Sequence, residues 1–252
     1  AHGERYIPIK CLSVQELNAV LARTTILNEK IDYQSCIFAD LLAEDKSRPI
    51  KDSLQYCFRE IMRNTFEHGE TDHLWVCGQF WPSRSEAEIA ILDEGIGILK
   101  SLKSNSRINV TSCQEALSLA IQPGLSRTLG KPLIENDVWQ NSGYGLYVAS
   151  TLAALCNGYF ILHSGDKAII INSDGQNIYE SAHAGTVVGI SIHTDSKPLR
   201  NFAQTLTNII TEGEAQAKLN ADKRILTASK ISSIASMIQH IRTANEMIDQ
   251  VN

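Results

Sequence analysis

Apolar residues change their period along this chain, and each change marks an element. Residues 6–12 (YIPIKCL) are β-prone. Ser13-Val-Gln-Glu16 follows with the form of a capping box, predicting a helix through about Ala22. A second helical pattern covers roughly 27–45 and ends in the charged, proline-containing stretch EDKSRP. From Lys51 to Glu67 the residues Leu54, Cys57, Phe58, Ile61, Met62 and Thr65 recur at three- and four-residue intervals. That is one face of a buried helix, stopped by Gly69. Residues 73–80 (HLWVCGQF) and 86–92 (EAEIAIL) are short, apolar and flanked by turn formers, so they predict a hairpin. Glu94 to Ser142 reads as loop-rich, with one helix-like piece around Ser112–Ile121. Behind Gly143-Tyr-Gly145 an apolar helical run extends to Ala154, and strands are predicted at 158–164, 168–172, 176–180 and 185–193. Helices first and strands later, without strict alternation, predict an α+β fold with helices on a mixed β-sheet, not a doubly wound one.

Residues 198–252 form a block of different composition. No Phe, Trp or Tyr occurs after Phe202, the one glycine is Gly213, and Ile231, Ile234, Ile238, Ile241 and Ile248 stand at helical spacings. This predicts an amphipathic C-terminal helical extension, whose apolar face serves either its own domain or a partner; periodicity leaves both open. The whole chain carries 23 Lys+Arg against 28 Asp+Glu over 252 residues, a net charge of −5. The last 55 residues hold six basic and five acidic side chains, the first 197 hold 17 and 23. Without a basic excess there is no nucleic-acid signature. At 43% hydrophobic and 20% charged the chain is globular rather than disordered. None of the six cysteines has the C-x-x-C spacing of a zinc knuckle or redox dithiol. With no secretory signal either, the expectation is reduced, mostly buried thiols in a cytoplasmic protein. The longest weakly polar stretch, Tyr144 to Cys156, falls short of the roughly 20 residues a membrane-spanning helix needs.

Four stretches carry candidate chemistry. In Glu60-Ile-Met-Arg-Asn64-Thr-Phe-Glu67-His68-Gly69, a helix would align Glu60, Asn64 and His68 in one polar stripe. Such a stripe is either a solvated face or the wall of a cleft. Asn64 argues for the cleft, because Asn is a poor helix-interior residue that a bare surface does not require. A carboxylate one turn from an amide is what a hydrated Mg²⁺ and an activated water need. Leu92-Asp93-Glu-Gly95-Ile-Gly97-Ile98 stands where a strand ends. It reads as a plain turn, or as a place where the backbone approaches a ligand while Asp93 accepts a hydrogen bond from it. Asn141-Ser-Gly143-Tyr144-Gly145-Leu146 opens a helix, either as an ordinary junction or as an anion site for phosphate. Thr186 begins a late strand and by itself signals only β-propensity.

In this order and on these elements, the four pieces resemble the GHKL superfamily: gyrase B subunit, the 90-kDa heat-shock chaperone, histidine kinases and MutL. Glu60, Asn64 and His68 match its N box, Asp93, Gly95 and Gly97 its first glycine box, and Gly143 and Gly145 its second. Thr186 matches its late strand threonine. The resemblance implies a Bergerat-type two-layer sandwich binding ATP and Mg²⁺. It divides the chain into an entry segment (1–48), an ATP-binding domain (49–197) with a lid at 98–142, and the extension (198–252). Asp93 would accept from the adenine amino group with Thr186 in support, and Asn64 would hold Mg²⁺. His68 would sit near the phosphates or cap the helix. The four glycines, with Tyr144 and Leu146 between and after the second pair, would shape the pocket. Arg127 or Lys131 in the lid would reach a phosphate. Glu60 matches the general base of the hydrolysing members and would meet the metal through water. The implied activity is a Mg²⁺-dependent ATPase. It would work as a conformational switch controlling a protein partner or self-association through the lid and C-terminal helix. Two alternatives stay open, a serine/threonine protein kinase of the anti-sigma-factor type and a nucleotide-gated binding module with little turnover. Three departures from the family pattern stand out. The only histidine before the N box is His2, no Gln-Thr-Lys loop follows the lid, and the tail is too short for a transducer domain.

Overall fold

The computed structural model describes residues 5–20, 26–43, 46–125 and 143–220. Strand β1 (Tyr6–Ser13) leads into helix α1 (Val14–Val20) through the expected capping box. The Ser13 N–H donates to Glu16 Oε2 at 2.8 Å, and the Glu16 N–H donates to Ser13 Oγ at 3.1 Å. Helices α2 (Leu27–Ala43) and α3 (Arg48–His68) follow, then the hairpin of β2 (His73–Trp81) and β3 (Glu86–Asp93). Next come α4 (Gly97–Lys103), α5 (Cys113–Ala120) and α6 (Gly145–Leu155). Strands β4 (Tyr159–Asn172) and β5 (Gly175–His193) precede α7 (Phe202–Asn220).

The protein is α+β, as its element order predicted. The five strands lie in the order β1-β2-β3-β5-β4. All four pairings are antiparallel, so the described sheet is not mixed. Alternating apolar residues fix a strand's faces and leave its direction open, and here the chain returns from the β4 edge to set β5 between β3 and β4. The four late strands expected from sequence are two long ones. Ser164-Gly165-Asp166 looks like a turn, yet Gly165 takes a φ of +73° and the ladder runs on past a register shift. Over 94–125 the chain is also less loop-like than expected, because α4 precedes the anticipated α5. Seven residues give too few turns for a period to show.

One face of the sheet is covered. Leu74, Val76, Phe80, Ala87, Ile89, Ile91, Phe160, Leu162, Val188, Ile190 and Ile192 are buried there, beneath α2, α3 and α6. Helix α3 is the centre of this layer and is buried almost all round. A smaller cluster of Leu102, Ile108, Val110, Ala116 and Leu125 stands beside the main core. Helix α7 packs on α3 and α6, and its Phe202, Leu206, Ile209 and Ile210 join the main core. Along 202–217, then, the apolar face of the C-terminal block serves its own domain; Ile231 to Ile248 lie outside the described residues. All six cysteines are free thiols. Among the described residues, no helix is long and apolar enough to cross a membrane.

If α7 is part of the core, Leu206→Ala removes a fully buried side chain and costs about 2–5 kcal/mol. Leu219→Ala, at a side chain 78% exposed, should shift stability by no more than about 0.5 kcal/mol. Urea unfolding of both variants tests this, and equal effects would contradict the packing described.

Candidate functional site

The covered face of the sheet ends in a polar row. Asp93, the last residue of β3, pairs with Thr186 on β5, which pairs with Ser164 on β4. The row before it is Val76, Ile91, Val188 and Leu162. Above these rows the last turns of α3 leave space instead of filling it. The result is an open cleft with about 800 Å³ of empty volume, the solvent at its mouth included. Ile91, Leu162 and Val188 form its floor, and Ile61, Asn64, Thr65 and His68 line it from α3. Gly97, Ile98, Ser101, Leu102, Ala120 and Leu125 line it from the α4–α5 side, and Gly143, Gly145 and Leu146 from the head of α6. Asp93 and Thr186 complete the wall. The polar stripe of α3 is therefore a cleft wall over Asn64 and His68, not a solvated face.

Asp93 is 4% exposed and held on three sides. Its Oδ1 accepts from the Gly95 N–H at 2.9 Å and the Thr186 N–H at 3.1 Å, and its Oδ2 accepts from the Thr65 hydroxyl at 3.3 Å. Burial pushes its carboxyl above the usual carboxylate value, and these hydrogen bonds pull it partly back. The glycines around it divide the work. Gly95 does not line the cleft; a Cβ there would lie 2.1 Å from the Gly69 carbonyl oxygen, so its role is to let the loop press against the end of α3. Gly97 lines the cleft with a φ of +73°, and a Cβ would lie 2.7 Å from Ser164 Oγ. Ser164 fixes this corner by accepting the Ile98 N–H at 2.9 Å and donating to the Gly185 carbonyl at 2.8 Å.

The other sequence-selected residues fall into three groups. Asn64, His68, Gly143, Gly145, Leu146 and Thr186 share the cleft with Asp93 and Gly97. Tyr144 is turned away; it is 5% exposed, meets Tyr147 edge-to-face with centroids 6.2 Å apart, and lies against Gly213 of α7. Glu60 is not part of the cleft wall either. It is buried behind Gly145, paired with Arg59, and 4.0 Å from Arg63. Arg127 and Lys131 lie outside the described residues, as do Asn141, Ser142 and the rest of the expected lid beyond Leu125. Sequence reasoning missed Thr65 and Ser164, which orient the site, and Asp32, which reaches Arg59 from α2 at 2.6 Å. The apolar lid-side wall, Ile98 to Leu125, was also missed. A helical spacing from Asn64 does not single out Thr65, and Asp32 is a distant partner that no local pattern joins to Glu60.

The donor set suits a purine nucleotide with Mg²⁺. An apolar slot ends in a buried hydrogen-bond acceptor, as a flat base with an exocyclic amino group requires. Gly143 and Gly145 line the cleft where α6 starts, and a Cβ would lie 2.7 Å from the Leu125 carbonyl oxygen at the first and 2.5 Å from Glu60 Oε2 at the second. Among the described residues no group of three His, Cys, Asp or Glu is placed to hold a metal. A Mg²⁺ ion bound mostly by phosphate and water needs no such group, and the Asn64 amide is available to it. Compared with models of known protein families and with curated protein sequences, the chain matches none.

A raised carboxyl pKa in the folded state gives Asp93 a stability contribution that is lost as pH rises through that value. Asp93→Asn keeps an oxygen for Gly95 and Thr186 and removes the buried charge. Relative to the parent, its melting temperature should therefore rise between pH 4 and pH 7. Thermal melts at the two pH values check this; an equal offset at both would contradict it.

Proposed function

We propose that the protein binds ATP with Mg²⁺ in this cleft and hydrolyses it, as a GHKL-type ATPase with a Bergerat-type fold. The observation that carries the reading is the convergence of three separated motifs on one cleft. Asn64, Thr65 and His68, Asp93 and Gly97, and Gly143, Gly145 and Leu146, with Thr186, line a single space between α3 and the sheet end. The elements they stand on support it as well. The acceptor lies at the deep sheet end, the amide on the α3 wall, and the paired glycines at the head of α6.

In this reading Asp93 accepts a hydrogen bond from the adenine amino group through Oδ2. Thr65 and the backbone of Gly95 and Thr186 keep the carboxylate aimed. The apolar floor excludes water from the base. Bound Mg²⁺ would neutralise phosphate charge, with Asn64 as its protein ligand. Glu60 takes the proton from the attacking water as the bond to the terminal phosphorus forms and the bond to ADP breaks. Turnover changes what occupies the space between α3, α4 and α6, and that change is what a protein partner or a second copy would read. One observation favours a nucleotide-gated binding module instead: Glu60 is paired with Arg59 and is set back from the cleft wall.

Equilibrium binding of a fluorescent ATP analogue, with release of phosphate from ATP, tests the reading. Asp93→Asn should fold and weaken binding by about ten- to hundredfold, the worth of a hydrogen bond to a charged acceptor. Glu60→Gln should bind normally and lose about 10²- to 10⁴-fold in turnover, as general-base removal does. Binding without phosphate release in the parent would leave the binding module. No binding, with Asp93→Asn like the parent, would sink the nucleotide reading.

A further inference from the structure

The two oxygens of Glu60 have different surroundings, and the difference extends the hydrolytic reading, on which this inference rests. Oε1 pairs with Nη1 of Arg59 and lies 4.0 Å from Nη1 of Arg63. Oε2 faces the other way, and a Cβ on Gly145 would be 2.5 Å from it. Gly145 is both a cleft residue and the first residue of α6. One oxygen is thus anchored on guanidinium, while the other lies against Gly145 at the head of α6.

Arg59 is itself anchored from outside the site. Its Nε donates to Asp32 Oδ1 of α2 at 2.6 Å, with side chains 4% and 6% exposed. Charges removed this far from water are a poor way to fasten two helices, since apolar residues of similar volume commonly do as well or better. What the pair supplies is direction. A guanidinium held at Nε presents its other nitrogens in one plane and one orientation.

We propose that Asp32 and Arg59 are positioning residues for Glu60. Asp32 fixes the Arg59 guanidinium, which holds Oε1 and keeps Oε2 turned to the Gly145 end of the cleft. There the water attacking the terminal phosphate gives up its proton. The logic is that of a base oriented by a third group, carried one residue further. It makes α2, which contributes nothing to the cleft wall, part of the hydrolytic apparatus.

The test uses the full chain and measures steady-state kcat and KM for ATP, analogue affinity and melting temperature. The variants are Asp32→Asn, Arg59→Lys, Arg59→Met, Glu60→Gln and the Asp32→Asn/Glu60→Gln double. Asp32→Asn should lower kcat about tenfold with KM and affinity within about twofold, because misorienting a reacting group slows chemistry without changing binding. Arg59→Met should approach Glu60→Gln in kcat. Arg59→Lys should fall between, having the charge without the fork. In the Glu60→Gln background Asp32→Asn should have no further effect, since the two act through one group. Asp32→Asn with the kcat of the parent would overturn the proposal. So would a kcat loss that persists in the double variant, or one matched by equal loss of affinity. If Arg59→Met does not fold, Asp32→Asn and Arg59→Lys decide. A parent that binds ATP without turnover overturns the hydrolytic reading instead, a result told apart from the others because Glu60→Gln then also changes nothing.

Discussion

Asp93 stands on the last row of β3, where the ladder to β5 ends, and its carboxylate joins three parts of the chain. The backbone of Gly95 ties it to the loop that starts the lid side, the backbone of Thr186 to β5, and the hydroxyl of Thr65 to α3. Each donor belongs to a different segment around the cleft, so these segments are registered on one group. Burying that carboxylate is unfavourable, and burial raises its pKa. A residue needed only to join these segments could have been a neutral amide. An ionised acceptor kept in place at a cost to stability is more consistent with a site that needs an acceptor.

The same tension runs through α3. Its buried positions include Arg59, Glu60 and Arg63 alongside Leu54, Phe58, Ile61 and Met62. Apolar side chains such as Phe58, in contact with Phe38 of α2 at 5.3 Å, supply the packing. The charged ones are paired in series from Asp32 through Arg59 to Glu60, and from Arg63 to Glu67 at 2.9 Å. Burial alone would lower the Arg59 pKa, but Asp32 and Glu60 raise it on balance, so the guanidinium stays charged. Glu67 is pushed up by burial, with Arg63 opposing the shift. Packing holds the helix, and the ionic series sets how its side chains point.

The sequence made the helices and the cleft motifs legible where spacing carries the information. Glu60, Asn64 and His68 share a face because of helical geometry alone, and the capping box of α1 is local chemistry. Strand direction was not legible, because alternation in β3 and β5 reads the same for either sense. Nor was the continuity of β4 through Gly165, whose neighbours spell a turn. The glycines show the limit most clearly. Gly95 and Gly97 are equivalent in a motif, yet one presses on Gly69 and the other borders the cleft. Tyr144 and Leu146 likewise flank Gly145, and only Leu146 reaches the cleft. Contacts such as Asp32 with Arg59 depend on how α2 lies against α3, which no periodicity encodes.

The second, smaller cluster sets the local stability of the segment beside the cleft. Leu117 and Ile121, at α5 and just after it, belong to the main core, whereas Leu102 of α4 and the following Ile108 and Val110 belong to the small cluster. Among the described residues, the α4 segment is held by this cluster, by Ile98 against the main core, by the Ile96 N–H on the Gly69 carbonyl at 2.8 Å and by the Ser164 bond to the Ile98 N–H. Local opening free energies follow the contacts that must be broken. Among the described residues, α4 rests on fewer buried side chains than α3 does, so opening it locally costs less than opening α3.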